Sequence, residues 1–233
     1  MNNRKITLFE YLVLGFISIV VLVGVVASRT NLYWFEEVYV VEDGFVENLT
    51  VLPLIGIIIT GFRYLKQFGK KKGFQFCTLV VLTILASIFV AGEEISWGQR
   101  IFNVRSSEFF QRHNAQGETN LHNLVVGGKK VNKIIFSQLL VLAIALYLLV
   151  LPQLYKRKPR VQTYLNHIGI PIPRFYQIIG CIVLFASITL IPSGKDAEIL
   201  EVGITHLFFL IYLFPENKEA FTSSPYSKEK NSA

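Results

Sequence analysis

FQFCTLVVLTILASIFVAGEEISWGQR, residues 74–100, decides the class of this chain. From Phe74 to Gly92 it carries no charge, and then Glu93 and Glu94 follow at once. A helix rises about 1.5 Å per residue, so this run nearly crosses the ~30 Å hydrocarbon core of a bilayer. Similar uncharged runs recur along the 233 residues, of which 52% are apolar and 17% charged. A soluble domain carries about 25% charged residues, and here the mean hydropathy is positive. The pattern predicts an all-α, polytopic membrane helix bundle.

Six spanning helices are expected, over about 7–29, 44–62, 74–92, 133–153, 174–192 and 199–215. Thr7 to Ser28 reads as a retained first helix, because it lacks a small-residue cleavage site. Pro171 and Pro173 suit a helix entry, and Pro192 and Gly194 a break. The Ser-, Lys- and Glu-rich stretch 216–233 reads as a disordered cytoplasmic tail. Residues 93–132 form a long external segment, interfacial or re-entrant, since an unstructured connection of that length is uncommon.

The formal net charge of +7 does not point to nucleic acid, because the basic residues lie in short connections. Arg4 and Lys5, then Arg63, Lys66, Lys70, Lys71 and Lys72, then Lys156, Arg157, Lys158 and Arg160 fall on one side of a six-helix chain. By the positive-inside rule that side is cytoplasmic, with both termini. Lys129, Lys130 and Lys133 run against the bias from the longer external connection. Cys77 and Cys181 lie within apolar runs and give neither a disulfide framework nor a thiolate zinc site.

This orientation gathers acids on the outer face. Glu36, Glu37, Glu42 and Asp43 precede the second helix, and Glu47 lies about one turn inside it. Glu93 and Glu94 end the third, and Asp196, Glu198 and Glu201 open the last. An acid at membrane depth is costly unless paired, hydrated or metal-bound, and so marks function. Adjacent helical residues point about 100° apart, so only one of Glu93 and Glu94 is expected to face a shared site. Ser96 and Trp97 share the Glu93 face at i+3 and i+4, and Arg100 suits an anionic headgroup. Glu118 and His122 stand at i,i+4; on a helix they would form a metal pair or an oriented general base. His206 lies in an otherwise apolar run.

GEEISWGQRIF followed by QGETNLHN, with EDG-x2-E upstream, resembles an uncharacterised bacterial family of multi-pass inner-membrane proteins, over roughly residues 33–123. That resemblance implies the inner (plasma) membrane and no particular activity. WFEEVYVVEDGFVEN is similar to the start of the alkaline ceramidases, a group of membrane hydrolases. This second resemblance implies calcium near Trp34, Glu36 and Glu47, with Val38 where the family has Asn, and zinc with a Ser and His pair. The family's His-x3-His pair is missing; Ser96, His122 and His206 are what remains for those roles.

The expectation is a membrane-embedded enzyme, possible as a metal-dependent hydrolase, acting on a lipid or lipid-linked substrate at an outward-facing polar site. Catalytic candidates are Glu93, Glu94, Ser96, Glu118 and His122; substrate-binding candidates are Trp34, Trp97, Gln99, Arg100, Asn120 and Asn123. A divalent metal, zinc or calcium, would be held by Glu36, Glu47, His122 and His206. A proton- or cation-coupled transporter or channel is the alternative, and a structural or assembly subunit the third class.

Overall fold

The computed structural model describes residues 4–41, 44–121, 123–126, 129–130 and 137–222. The described chain is built almost wholly of helices: α1 (Leu8–Thr30), α2 (Phe45–Lys72), α3 (Phe74–Glu94), α4 (Glu108–His113), α5 (Leu139–Arg157), α6 (Pro159–Ile168), α7 (Phe175–Ile188) and α8 (Asp196–Leu213). The extended backbone in named strands is one two-residue antiparallel pair, Val125–Val126 with Lys129–Lys130.

α1, α2, α3 and α5 are long and apolar enough to cross a membrane. Their outer faces remain bare: Ile19, Leu22, Leu82, Leu85 and Leu139 are each more than half exposed. So continuous an apolar exterior suits lipid chains, not water. The chain has the build of an integral membrane protein.

α8 is the axis of the bundle, packed against α1, α2 and α7. Ile199, Val202, Leu207, Leu210 and Ile211 on it are almost fully buried. In lipid, burying such side chains gains packing and little hydrophobic free energy, so close approach matters most. Glycines provide it. A Cβ on Gly203 would come within 2.6 Å of Leu184, and one on Gly56 within 2.6 Å of Phe209.

Local sequence explains most boundaries. Thr7 and Glu10 form a reciprocal capping box that starts α1. α2 and α3 reverse on Gly73 alone, whose φ of 88° glycine adopts without strain. α5 runs through Pro152 with a π turn at Leu146–Val150. The wider turn accommodates a ring that has no N–H to give and crowds the carbonyl four residues back.

Several expected boundaries move. α2 extends ten residues past 62, because nothing breaks the helix before Gly73. α7 stops at Ile188, and α8 begins at Asp196. The basic connection after α5 is itself a helix, α6. The expected disordered tail begins with order instead: Asn217, Ala220 and Phe221 are buried. Asn217 accepts from the Ile172 N–H (2.8 Å) and donates to the Ile170 carbonyl (2.9 Å), tying the end of α8 to the start of α7. Residues 223–233 lie outside the described residues, as does most of 127–136.

Candidate functional site

The motifs GEEISWGQR and QGETNLHN meet at the end of α3 and interlock. Helix α3 ends where Ser96, Trp97 and Gly98 take left-handed φ values of 45°, 54° and 73°. For the two non-glycines such backbone costs on the order of 1–3 kcal/mol each. The polar contacts around the turn offset it. The Ser96 hydroxyl donates to Glu118 (2.6 Å) and accepts from Asn120 (2.8 Å). Arg100 forms an ion pair with Glu118. The Glu93 carboxylate accepts from the Trp97 indole N–H (2.9 Å) and the Leu121 backbone N–H (2.5 Å). Gln99 accepts from Ser106 and from the Thr119 backbone N–H, both at 2.9 Å.

Asn114 completes the knot. Its side chain donates to Asn120 (2.8 Å) and accepts from the backbone of Gln116 (2.8 Å) and Glu118 (3.2 Å). Asn123 donates to Gln116 (2.8 Å). Thus Ser96, Arg100, Glu118 and Asn120, read from sequence as catalytic or substrate-binding, bond to one another. In the same two segments Glu93 bonds to Trp97 and Leu121, Gln99 to Ser106 and Thr119, and Asn123 to Gln116. They build a polar roof at the end of α3. Buried polar groups are stable when satisfied in this way.

Residues 117–121, 123 and 124 are not helical: Gly117 has φ 71° and bends and turns follow. Glu118, expected beside His122 at i,i+4, turns back to Ser96 and Arg100. His122 lies outside the described residues.

Beneath the roof the acids divide. Glu93 belongs to the roof. Glu94 points elsewhere, within electrostatic reach of Glu47 on α2 and Glu198 on α8 as well as Glu93. Glu201, one turn along α8, feels Glu94, Glu198 and Glu47. Glu47, Glu94, Glu198 and Glu201, from three helices, are each half-buried and form one electrostatic neighbourhood. The Thr50 hydroxyl, one turn below Glu47 on α2, is buried without a hydrogen-bond partner. Further along α8 the core closes over Val202, Leu207 and Leu210.

Of the expected metal set, Glu36, Glu47 and His206 are described and are not brought together. Among the described residues no three His, Cys, Asp or Glu side chains are placed to share one ion. Glu36 accepts from Ser193 (2.6 Å), and its carbonyl accepts from Lys195 (2.8 Å), which holds it to the α7–α8 connection. His206 sits against the Phe16 ring at 5.2 Å with Nδ1 on the Val202 carbonyl (2.8 Å). Trp34 stacks on Tyr39 (5.5 Å) beside the Glu36 segment. The Tyr39 hydroxyl donates to the Val20 carbonyl (3.0 Å), and burial pushes this phenol up to about 12. Among the described residues no set fits a zinc or calcium centre.

A buried network at the opposite, basic end is absent from the sequence reading. Glu10 is fully buried; it receives Arg174 (2.7 Å) and the Tyr176 hydroxyl (2.5 Å). Gln177 donates to the Leu210 carbonyl (3.1 Å) near the end of α8. The signal was present: Thr7-x-x-Glu10 is a capping-box pattern at a helix start. Its pairing with Arg174, 164 residues away, has no local trace.

No protein-family model, curated protein or solved structure matches the chain.

Proposed function

We propose that the chain is a six-span bacterial inner-membrane enzyme that hydrolyses a lipid or lipid-linked substrate at the carboxylate cluster. α7 and α8 are the two further spans. Asp196, Glu198 and Glu201 make the opening turns of α8 polar, and the cluster gives its acids a place out of lipid. The clusters Arg4–Lys5, Lys70–Lys72 and Lys156–Arg160 share the end opposite the acids, which makes that end cytoplasmic and the acids outward-facing.

The observation that carries the reading is the convergence of Glu47, Glu94, Glu198 and Glu201 from three helices at one end of the bundle. Carboxyls this crowded are stable only with a proton or a cation among them. A protonated member donates its proton to the leaving group, while an ionised neighbour takes one from the attacking water. Apolar side chains exposed along the roof segment, Trp97, Ile101, Phe102 and Val104 among them, offer the acyl part of an amphiphile a lipid-side approach.

The one-sided arrangement favours an enzyme over a transporter, because α8 continues from the acids into packed apolar side chains. The test is proteoliposomes made from a total bacterial lipid extract, analysed by mass spectrometry. Wild-type protein is expected to consume one lipid class, and Glu94→Gln and Glu201→Gln to spare it. No lipid turnover, together with proton or cation uptake lost in the same variants, would overturn the enzyme reading for the transporter.

A further inference from the structure

We propose that α6 presents a binding site for the headgroup of an anionic phospholipid at the basic end of the protein. The inference rests on the membrane setting and not on the carboxylate cluster or its chemistry.

α6 begins two residues after α5 ends at Arg157, so it leaves the bundle where a span reaches the membrane surface. Its inner face is fixed. Leu165 and Ile172 are buried with Tyr155; Asn166 accepts from the Tyr155 hydroxyl (3.2 Å) and from Asn217 (2.9 Å). Gly169 closes the helix at φ 78°, bringing its end against Phe76 at the start of α3. The helix is therefore held near Lys70–Lys72, at the turn between α2 and α3.

Its outer face is exposed and carries Arg160, Thr163, Tyr164 and His167, at i, i+3, i+4 and i+7. With Pro159 these line an open pocket of about 520 Å³. Lys156, Arg157 and Lys158 stand at its entrance in sequence, all exposed. Among the described residues none of Lys156, Arg157, Lys158 and Arg160 forms an ion pair. Glu219, in the turn that packs beneath α6, does not pair with them either.

A guanidinium, a hydroxyl, a phenol and an imidazole around a shallow pocket are donors for phosphate oxygens. The Tyr164 ring and Pro159 supply the apolar wall that a glycerol backbone and the first acyl carbons would meet. Lysines at the rim add long-range attraction to a negatively charged leaflet. A free phosphate would be offered the same donors but none of the apolar wall. The occupant is the lipid.

The experiment uses the full-length protein in detergent and native mass spectrometry. Phosphatidylglycerol and phosphatidylcholine of identical acyl chains are titrated separately. One phosphatidylglycerol is expected to be retained, at several-fold lower concentration than phosphatidylcholine. Arg160→Gln with His167→Gln should weaken phosphatidylglycerol by about fivefold or more, from the loss of a cation and an imidazole donor. Lys66→Gln with Lys70→Gln, on the same end but off α6, should leave it unchanged. Inorganic phosphate at millimolar concentration should not compete. Equal retention of the two lipids, an equal loss in the Lys66 and Lys70 variant, or full competition by phosphate would each overturn the proposal. All four positions are exposed, and unchanged thermal unfolding confirms that each variant is folded.

Discussion

Replacing Glu118 by alanine is expected to loosen the roof without unfolding the bundle. Glu118 is 7% exposed and accepts the Ser96 hydroxyl and the Arg100 guanidinium. Removing it strands a buried hydroxyl, which costs about 1–3 kcal/mol. The Arg100 side chain is 45% exposed, so its lost ion pair adds at most about 1 kcal/mol. The left-handed turn at Ser96 and Trp97 is then less well held. Taking about 2 kcal/mol in all, local opening becomes about thirtyfold more frequent. Hydrogen exchange of the Ala115, Thr119 and Leu121 amides reads this directly, because they bond to Asn123, Gln99 and Glu93. Glu118→Gln keeps an acceptor for Ser96 and should shift exchange much less. Unchanged protection of these three amides in Glu118→Ala would refute the idea that Glu118 secures the roof.

At the other end, Arg174→Ala leaves Glu10 as a buried carboxylate without its cation, and should lower stability by about 3 kcal/mol. Thermal unfolding in detergent measures that, and a Glu10→Gln/Arg174→Met double variant should recover much of the loss. Gly203→Ala places a methyl 2.6 Å from Leu184 and is expected to cost about 1–3 kcal/mol. Gly15→Ala meets nothing within 4 Å and should be neutral or slightly stabilising; chemical denaturation of the pair compares them. The raised phenol of Tyr39 binds its proton more tightly in the folded state. Its contribution should be intact below pH 10 and lost as pH rises from about 10 to about 12. Ultraviolet phenolate titration of wild type against Tyr39→Phe follows that loss.

Much of the fold was legible in the chain because lipid imposes a simple code. Long uncharged runs specify helices, and clusters such as Lys70–Lys72 mark their ends whatever their neighbours are. Adjacent positions on a helix diverge, and Glu93 accepts from Trp97 and Leu121 while Glu94 lies within electrostatic reach of Glu47 and Glu198. The α2 extension, the helix at Pro159–Ile168 and the ordered Asn217 were not legible. Each depends on what packs beside it, and polar composition alone reads as connection or tail.

The sequence by itself determined that long apolar helices are bounded by charge, with Lys70–Lys72 closing one and Glu93–Glu94 the next, since charges are excluded from the middle of a span. Only the tertiary structure decided which acids meet. Glu47, Glu94, Glu198 and Glu201 feel one another because α8 packs along α2, whose other neighbour α3 ends at Glu94. Glu36 and His206 have the right chemistry for a metal, yet Ser193 and Phe16 hold them elsewhere. The conspicuous motif residues Ser96, Arg100, Glu118 and Asn120 are joined by hydrogen bonds that span 18 to 24 residues. Distances like these are set by the closing of a loop, and no helical period in the sequence records them.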